Sequence, residues 1–435
     1  MTIRAWRLPA WLGASFAAPV ACAAAETTIN GADTAWVLTS TALVLFMTIP
    51  GLSLFYGGLV RTKNALSILM QCFAITCVVS LAWALIGYGL AFGDGGTLQA
   101  YIGSGRWLLD GVTAQSVHPR FPNIPESVFL AYQMTFAIIT PALIVGGFAE
   151  RMRFPAMLAF SVLWLVVVYL PVCHWVWGGG WLGTRGLLDF AGGTVVHVNA
   201  GVAALVAALM IGSRHGFPNH AMPPHNMPLV VTGAAMLWVG WFGFNAGSAL
   251  GANGSAGMAL LVTHLAAASG SLAWMAVEWV KFGKPSVLGI VTGMVAGLGT
   301  ITPGSGYVGP LGAITIGLTA GVVCFFATQY MKRVLRVDDS LDVFPVHGVG
   351  GILGTTLTGV FASQALGGVG LAEGVGIGQQ VTTQVIGVLA SGLWSAAWTF
   401  VLLKAIDVTI GLRVSREQET QGLDVADHNE SGYNL

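Results

Sequence analysis

Hydrophobic positions dominate the chain in runs of about 20 residues, each long enough to cross the ~30 Å core of a bilayer as a helix. Short breaks rich in charged residues, proline or glycine separate these runs. The pattern predicts an all-α polytopic membrane protein with eleven transmembrane helices. Their approximate bounds are 35–59, 66–92, 127–149, 155–176, 190–211, 229–249, 256–280, 287–302, 308–331, 342–363 and 381–410.

Composition agrees with a membrane protein, since 55% of the residues are hydrophobic and only 8% are charged. Soluble domains carry roughly 25% charged residues. The formal net charge is zero, and this balance gives no basic surface for nucleic acid. The 60 glycines predict tightly packed helices, because small residues let helix backbones approach closely within a membrane.

The distribution of Lys and Arg predicts the orientation of the helices, because basic residues concentrate in cytoplasmic connections. With an external N-terminus, only Arg106, Arg120 and Arg185 fall in outside connections. The inside connections hold Arg61, Lys63, Arg151, Arg153, Arg214, Lys281, Lys284, Lys332, Arg333, Arg336, Arg413 and Arg416. The C-terminus is therefore predicted to be cytoplasmic.

The first 25 residues have the pattern of a cleavable signal peptide. Arg4 and Arg7 precede a short apolar stretch, and small residues follow up to Ala25. An additional membrane anchor is the alternative. Cleavage would place the protein in a bacterial cytoplasmic (inner) membrane. The predicted organisation is a signal peptide over 1–25, a membrane domain over 26–411 and a cytoplasmic tail over 412–435.

Eleven helices suggest an internal repeat of five plus five, followed by one further helix. A repeat with an odd number of helices enters the membrane in opposite directions, which gives an inverted pair. The fifth helix would then correspond to the tenth. Each of these two helices carries a histidine, His197 and His347 respectively.

Two histidines at matching places favour a substrate path, although a lone His in a helix is usually a packed core residue. Their distances from the helix ends allow contact near mid-membrane. Two neutral imidazoles can share one proton and offer their other edges to a small polar molecule. A metal site is not predicted, because zinc enzymes usually use three protein ligands and no third candidate has suitable spacing.

Carboxylates and aromatic side chains near the helix ends can have a structural role or can attract a cation. Asp189 opens the fifth helix, where it predicts an N-terminal cap or the attraction of an incoming cation. Asp342 is predicted to cap the tenth helix. Tryptophans such as Trp177 are typical of an interfacial belt, but an aromatic ring can also hold a small cation. Composition alone does not distinguish a belt from a cation cage.

Five longer motifs carry a strong resemblance to a known family. They are "TALVLFMTIPGLSLFYGGLVRTKN", "DFAGGTVVHVNAG", "GWFGFNAGSA", "RVDDSLDVFPVHGVGG" and "GLRVSREQETQGLDVADH". The chain resembles the ammonium transporter (Amt/MEP/Rh) family, and within it the bacterial branch. The resemblance spans essentially the whole chain after the predicted signal peptide.

The resemblance implies a homotrimer of eleven-helix subunits with one pore in each. It assigns ammonium recruitment to Trp177, Phe136 and Ser248, with Tyr132 nearby and Asp189 in support, and it assigns the gate to Phe136 and Phe244. It places His197 and His347 in the lumen as a proton relay. It implies that the hydrophobic lining of the lumen consists of Leu52, Phe55 and Val343. No cofactor is implied. The tail is expected to regulate conduction and to bind a trimeric PII signalling protein.

The implied function is ammonium uptake, in which ammonium is deprotonated, ammonia passes the histidines and net charge moves. An ammonium sensor that signals through cytoplasmic partners is the alternative from another class, although the short tail weighs against it. An intramembrane enzyme lacks a nucleophile and base motif. A carbon dioxide channel would not need Trp177 and Ser248 as a cation cage.

Overall fold

The computed structural model describes residues 29–433, and the predicted signal peptide lies outside this range. The described chain is predominantly helical. Ten of its helices are long and apolar enough to cross a membrane. They are α1 Gly31–Leu59, α2 Thr62–Phe92, α3 Glu126–Phe148, α4 Phe154–Thr184, α5 Gly193–Ile211, α6 Met227–Ala249, α7 Gly254–Phe282, α8 Val287–Gly304, α9 Pro310–Leu335 and α11 Ile377–Thr409.

The tenth predicted span also forms a helix, although length and apolarity alone do not identify it as a membrane span. This helix, α10, begins with the π-helical turn Phe344–Gly348 and continues as Val349–Phe361. Its histidine, glycines and threonines lower its hydropathy. All eleven predicted starts agree with the observed helix starts to within four residues.

Short elements occupy the two ends of the helix bundle. Strands β1 Val117–His118 and β2 Phe121–Pro125 form an antiparallel hairpin before α3, and we call this end of the bundle the hairpin end. The opposite end, called the tail end, carries α12 Arg416–Gln421 and α13 Leu423–His428. The other π-helical turns are Met47–Leu52, Trp83–Gly87, Leu165–Tyr169, Gly193–Val198 and Met331–Leu335, and the 3₁₀ turns outside the long helices are Gly96–Leu98, Trp107–Leu109 and Gln364–Leu366.

Local sequence explains where several helices begin. Asn226, Asn253 and Ser286 each accept a hydrogen bond from a backbone N–H in the first turn of α6, α7 and α8. Such side-chain caps satisfy donors that have no partner within the helix. Gly283 ends α7 with a φ of +78°, a conformation that glycine adopts without steric cost.

Two glycines let α5 and α10 touch backbone to backbone. A Cβ atom on Gly201 would lie only 2.3 Å from the Cα of Gly348. A Cβ atom on Gly351 would lie 3.0 Å from the Cβ of His197. Close approach of this kind is how small residues pack membrane helices. It brings the segment that carries His197 against the segment that carries His347.

A buried ion network fixes the chain at the tail end. Arg214 contacts Asp338 at 2.8 Å and Glu150 at 3.1 Å, and Glu150 also contacts Arg61 at 2.8 Å. Arg151 donates further hydrogen bonds to the carbonyl oxygens of Asp338 and of Gly147. The network joins the ends of α1, α3 and α5 to the loop that precedes α10. It thereby fixes where α10 begins.

The tail folds onto this end of the bundle along residues 412–433. Asp424 accepts hydrogen bonds from the backbone N–H groups of Leu66 and Ser67 in the first turn of α2. Glu419 pairs with Arg413 at 2.8 Å. A disordered end, the simplest expectation for a polar tail, is therefore not what the structure shows for these residues.

We predict that Asp338→Ala destabilises the protein by about 3–5 kcal/mol, because it leaves the buried Arg214 guanidinium without its closest partner. Burial alone would raise the pKa of Asp338, but the hydrogen bonds and charge of Arg214 outweigh burial and hold it below its ordinary value of 3.8. The ion pair therefore contributes stability above that pH and loses it as the pH falls through the lower folded value.

Thermal unfolding in detergent tests this prediction across pH. Asp407→Ala is the control, since Asp407 pairs with Lys404 at 3.8 Å and both side chains are exposed. Exposed pairs contribute little, so this variant should unfold like the wild type. An Asp338→Ala midpoint equal to the wild-type midpoint at neutral pH would contradict the account of the network.

Candidate functional site

The candidate site begins with the two histidines, which lie in equivalent local structures. His197 is in the π-helical turn Gly193–Val198, directly before the thirteen-residue α-helical part of α5. His347 is in the turn Phe344–Gly348, directly before the thirteen-residue α-helical part of α10. π-Helical turns are rare and are frequent at functional sites. The local geometry therefore sets these two residues apart from the rest of each helix.

The imidazoles contact each other directly. Nδ1 of His197 lies 3.2 Å from Nδ1 of His347, and the ring planes differ by only 11°. In a neutral pair, one Nδ1 donates a hydrogen and the other accepts it, so the two rings have opposite tautomers. The two Nε2 atoms remain available on the outer edges of the pair. The structure thus brings together the two histidines that the sequence singled out.

His197 is also packed against an aromatic ring that the sequence analysis did not assign to the site. Its imidazole stacks on Trp241 with a centroid distance of 5.6 Å and an angle of 16°. Trp241 is fixed in turn, because its Nε1 donates to the hydroxyl of Thr302 at 2.9 Å. Nε2 of His197 is buried without a protein partner among the described residues. The ring is therefore oriented by packing while one polar edge stays unpaired.

A narrow apolar lumen surrounds the histidine pair. Its cavity volume is about 10 Å³, which is the room of roughly one water-sized molecule. The lumen residues are Met47, Leu52, Phe55, Ile139, Leu143, Val196, His197, Leu237, Trp241, Phe244, Val295 and His347. Leu52 and Phe55 thus line it as expected. Val343 does not, because its side chain packs toward Gly146 between α3 and the start of α10.

Two stacked rings separate the lumen from the hairpin end. Phe136 and Phe244 have a centroid distance of 4.4 Å and an interplanar angle of 39°. Phe244 lines the lumen, whereas Phe136 lines a separate cavity on the hairpin side. Both rings are almost completely buried. They close the path in this conformation.

The cavity on the hairpin side, which we call the vestibule, has a volume of about 250 Å³. Trp177 and Ser248 line it together with Phe136. The Trp177 ring meets Phe136 edge to face at 5.6 Å, and its Nε1 donates to the carbonyl of Asp189 at 2.9 Å. These contacts hold the indole in one orientation. Aromatic faces and a hydroxyl therefore converge on one small space.

Tyr132 lies behind the vestibule and does not line it. The side chain is fully buried, and its hydroxyl lies 2.9 Å from the carbonyl oxygens of Gly243 and Phe244. The same hydroxyl is 3.2 Å from Oγ of Ser248. Tyr132 therefore orients Ser248 and cannot contact a molecule in the cavity directly.

Asp189 contributes through the backbone of α5. Its carboxylate accepts hydrogen bonds from the N–H groups of Gly192, Gly193 and Thr194 and from the hydroxyl of Thr194, all between 2.5 and 2.8 Å. The capping interpretation is supported, although α5 begins at Gly193 rather than at residue 190 and Gly192, with a φ of +118°, occupies the capping position. A carboxylate so fully bonded is a fixed negative charge at the helix end.

The expectation that Asp342 caps α10 is wrong. The N–H of Phe344 donates to the carboxylate of Asp339 at 2.7 Å, whereas the carboxylate of Asp342 pairs with Lys332 at 2.6 Å. The motif "DDSLD" offers three carboxylates within five residues, so sequence spacing did not identify which one reaches the helix. Burial, with the nearby Asp342 charge, raises the pKa of Asp339 to about 6.

A third cavity, of about 230 Å³, continues from the histidines toward the tail end. His347 and Phe55 line both this cavity and the lumen. Lys332 and Asp342 line its far part as an ion pair. The vestibule, gate, lumen and tail-side cavity therefore follow one another through the bundle. Among the described residues, no three His, Cys, Asp or Glu side chains are grouped as metal ligands.

Sequence reasoning missed several residues of this path. Trp241 was noticed only as an aromatic residue near the end of α6, and Gln133 and Arg120 were not associated with the vestibule, although both line it. The signal for Arg120 was weak, because it follows the hairpin turn far from the other motifs. Only the fold brings the hairpin over the end of α4.

Comparison with known proteins agrees with the architecture. The model of the Ammonium Transporter Family matches residues 35–433. An ammonium transporter of Aquifex aeolicus (strain VF5) is 48% identical over 419 residues, which cover 95% of this chain and 96% of that protein.

Solved structures share the fold as well. Mep2 from Candida albicans superposes with a TM-score of 0.82 at 35% identity, covering 90% of this chain and 88% of that one. A protein named Sensor Amt Protein superposes with a TM-score of 0.85 at 31% identity, covering 91% of this chain and 98% of that one. The Aquifex aeolicus relative is named as a transporter and the protein that superposes at a TM-score of 0.85 is named as a sensor. The chain is a multi-pass membrane protein that belongs to the ammonium transporter family.

Proposed function

We propose that this protein takes up ammonium across the bacterial inner membrane with net movement of positive charge. The observation that carries the proposal is the Nδ1–Nδ1 contact of His197 and His347 inside a narrow apolar lumen. An apolar tube alone would conduct only neutral molecules. A proton-sharing pair inside the tube supplies a route for the charge as well.

Recruitment takes place in the vestibule. The ring faces of Trp177 and Phe136 attract a small cation by cation–π interaction, and the hydroxyl of Ser248 accepts a hydrogen bond from it. Asp189 lines the cavity and contributes the negative charge of its carboxylate, which the start of α5 holds in place. Tyr132 keeps Ser248 in place through their 3.2 Å contact. Ammonium is small enough for the 250 Å³ of this space.

Proton loss follows at the gate. Passage between Phe136 and Phe244 removes the water around the ion, and burial disfavours the charged form of an amine by up to about 3–5 pKa units. Neutral ammonia crosses more easily because it has no charge to desolvate. Potassium has a similar size but no proton to lose. Selectivity therefore comes from the chemistry of the ion more than from the width of the opening.

The histidine pair then carries the two products past the narrowest point. Ammonia hydrogen-bonds along the ring edges, while the released proton binds Nε2 of His197. Transfer across the Nδ1–Nδ1 hydrogen bond shifts a proton to His347, whose Nε2 releases a proton toward the tail-side cavity. Both rings exchange tautomers in one passage. The starting state returns when an ammonia molecule that passes along the ring edges takes the hydrogen from Nε2 of His197 and gives one to Nε2 of His347, while the shared hydrogen moves back to Nδ1 of His197, so that both rings end neutral.

The proposed architecture is an inverted repeat of α1–α5 and α6–α10, followed by α11, with three subunits in the assembly. The matching π-helical turns before the thirteen-residue helical parts of α5 and α10 support the repeat. Counting α10 as a membrane span brings the total to eleven. Its His347 faces His197 of α5 inside the bundle rather than lipid. The hairpin end faces outside and the tail end faces the cytoplasm, in accord with the Lys and Arg distribution.

We predict that His197→Leu together with His347→Leu lowers the ammonium-evoked current at least 100-fold, because the variant has no proton path. The measurement is the current of purified protein in liposomes under an inward ammonium gradient. His264→Leu is a matched control, since His264 packs on Trp238 outside the path. It should conduct like the wild type. Unchanged selective current in the double variant would contradict the relay.

We predict that Phe244→Ala lowers the selectivity for ammonium over potassium by on the order of 10-fold, which corresponds to ~1.4 kcal/mol. Removing one ring of the gate lets water accompany the ion, so that desolvation no longer discriminates. Paired currents in ammonium and in potassium solutions measure the ratio. Phe242→Ala, on the same helix but outside the lumen, serves as the control. An unchanged ratio in Phe244→Ala would exclude the gate as the selectivity step.

The tail provides the proposed point of regulation. Asp424 joins the tail to the start of α2 by hydrogen bonds. These bonds support a role in which binding of a partner to the tail changes the position of the helices. We expect a trimeric PII protein to bind this face and to close the pores. Adding purified PII to the cytoplasmic side should reduce the current, and deletion of residues 412–435 should abolish the reduction. A current that PII leaves unchanged in both the full-length protein and the deletion variant would exclude PII as a partner.

A sensor remains the second candidate, because one of the similar structures is named as a sensor. The succession of vestibule, lumen and tail-side cavity, interrupted only by the two gate rings, favours transport instead. Measurement of ammonium flux separates the two candidates, since a pure sensor would bind ammonium in the vestibule without moving it.

A further inference from the structure

Arg120 occupies an unexpected position for a cavity that recruits a cation. It follows strand β1 in the turn of the hairpin and lines the vestibule together with Trp177 and Ser248. The residue is solvent-exposed. On its other side, Arg120 also lines a larger external cavity of about 600 Å³. A positive charge therefore lies in the wall between the two cavities.

The guanidinium is held in place by several contacts. Nη1 donates to the carbonyl of Trp177 at 2.7 Å, and the backbone N–H of Arg120 donates to Nδ1 of His118 at 3.3 Å. The guanidinium carbon lies 5.7 Å from the ring centre of Phe121. Gly179 provides the space, since a Cβ atom there would lie 3.1 Å from Nη1. The charge thus has a defined position beside the recruiting indole.

No carboxylate neutralises this charge at close range. Within residues 29–433, Arg120 forms no ion pair. The carboxylate of Asp189, the acidic group of the vestibule, is already occupied by the start of α5. The larger cavity contains two carboxylates, of which Glu126 pairs with Arg106 at 3.5 Å and Asp94 accepts a hydrogen bond from the N–H of Gly96 without forming an ion pair with Arg120. The vestibule consequently contains a fixed, partly exposed positive charge.

We infer that Arg120 is a specificity-determining residue that discriminates cations by valence, disfavouring divalent ions in the vestibule more than monovalent ammonium. The inference rests on the proposed recruitment of ammonium in this cavity. Repulsion between two charges scales with their product. A divalent ion therefore meets twice the repulsive free energy of a monovalent ion, and the effect on its binding constant is squared.

The expected size of the effect is modest for ammonium. At about 8 Å in a water-like dielectric, one unit charge changes the binding constant of a monovalent ion by about two- to threefold. The same charge weakens the binding of a divalent ion by about five- to eightfold. Cation–π attraction to Trp177 and Phe136 offsets the smaller penalty. External magnesium or calcium binds the pore entrance more weakly as a result and competes less well with ammonium.

The alternative is a purely structural role. In that role, Arg120 only orients Trp177 through its hydrogen bond to the Trp177 carbonyl. The two roles predict opposite results. Removing the charge should strengthen ammonium recruitment if Arg120 acts electrostatically. Losing the hydrogen bond should weaken recruitment if Arg120 acts only on the indole.

The test compares Arg120→Gln, Arg120→Lys and the wild type in liposomes, with Arg185→Gln as the control. Arg185 is an exposed basic residue in the connection after α4 that does not line the vestibule. Currents are recorded over a range of ammonium concentrations at low ionic strength, with and without MgCl₂ at matched ionic strength. The readouts are KM, maximal current and the inhibition constant of magnesium.

We expect Arg120→Gln to lower KM two- to threefold with an unchanged maximal current, and to make magnesium a five- to eightfold stronger competitive inhibitor. Arg120→Lys and Arg185→Gln should match the wild type. The differences should disappear near 1 M salt, where the screening length is about 3 Å. This salt dependence and the split between KM and maximal current are not properties of a purely structural residue.

Three results would overturn the inference. Arg120→Gln with wild-type KM and magnesium inhibition would show that the charge does not act on recruitment. A raised KM in both Arg120→Gln and Arg120→Lys would assign Arg120 to the orientation of Trp177. A lower maximal current at constant KM would indicate a folding or gating defect. Failure of the proposed function is distinguishable, because the wild type and Arg185→Gln would then show no saturable ammonium current at all.

Discussion

The contact between Nδ1 of His197 and Nδ1 of His347 is the constraint on which the rest of the structure depends. Two polar rings can lie at membrane depth only if each satisfies the other and both are held by packing. The missing side chains of Gly201 and Gly351 let α5 and α10 approach, and Trp241 stacks on one ring. The ion network at the tail end then fixes the start of α10. Each of these features serves the position of the pair.

Charge is organised differently on the two sides of the gate. Among residues 29–433, no charged side chain lines the lumen, so an ion that enters it would lose water without gaining a counter-charge from this part of the chain. The vestibule combines aromatic faces with the helix-bound carboxylate of Asp189 and the guanidinium of Arg120. Attraction there is therefore moderate and suits an ion that must leave again. In the proposed function, the vestibule would capture a monovalent cation and the lumen would pass its neutral form.

Much of the fold followed from the sequence, because hydrophobic runs are local properties. The helix starts agree to within four residues. Long-range details did not follow. The sequence could not show that Val343 turns toward Gly146, that Asp339 rather than Asp342 caps α10, or that Tyr132 lies behind Ser248. The position of Arg120 depends on how the hairpin packs over α4, which no local pattern encodes.

The ratio of charge moved to nitrogen moved tests the central claim most directly. Current and ammonium uptake can be recorded from the same preparation of liposomes that contain the purified wild-type protein. Deprotonation at the gate with a proton crossing at the histidine pair predicts one positive charge for each nitrogen. Saturable uptake of nitrogen without any current would contradict the account, since it would mean that ammonia passes alone and that the pair carries no proton.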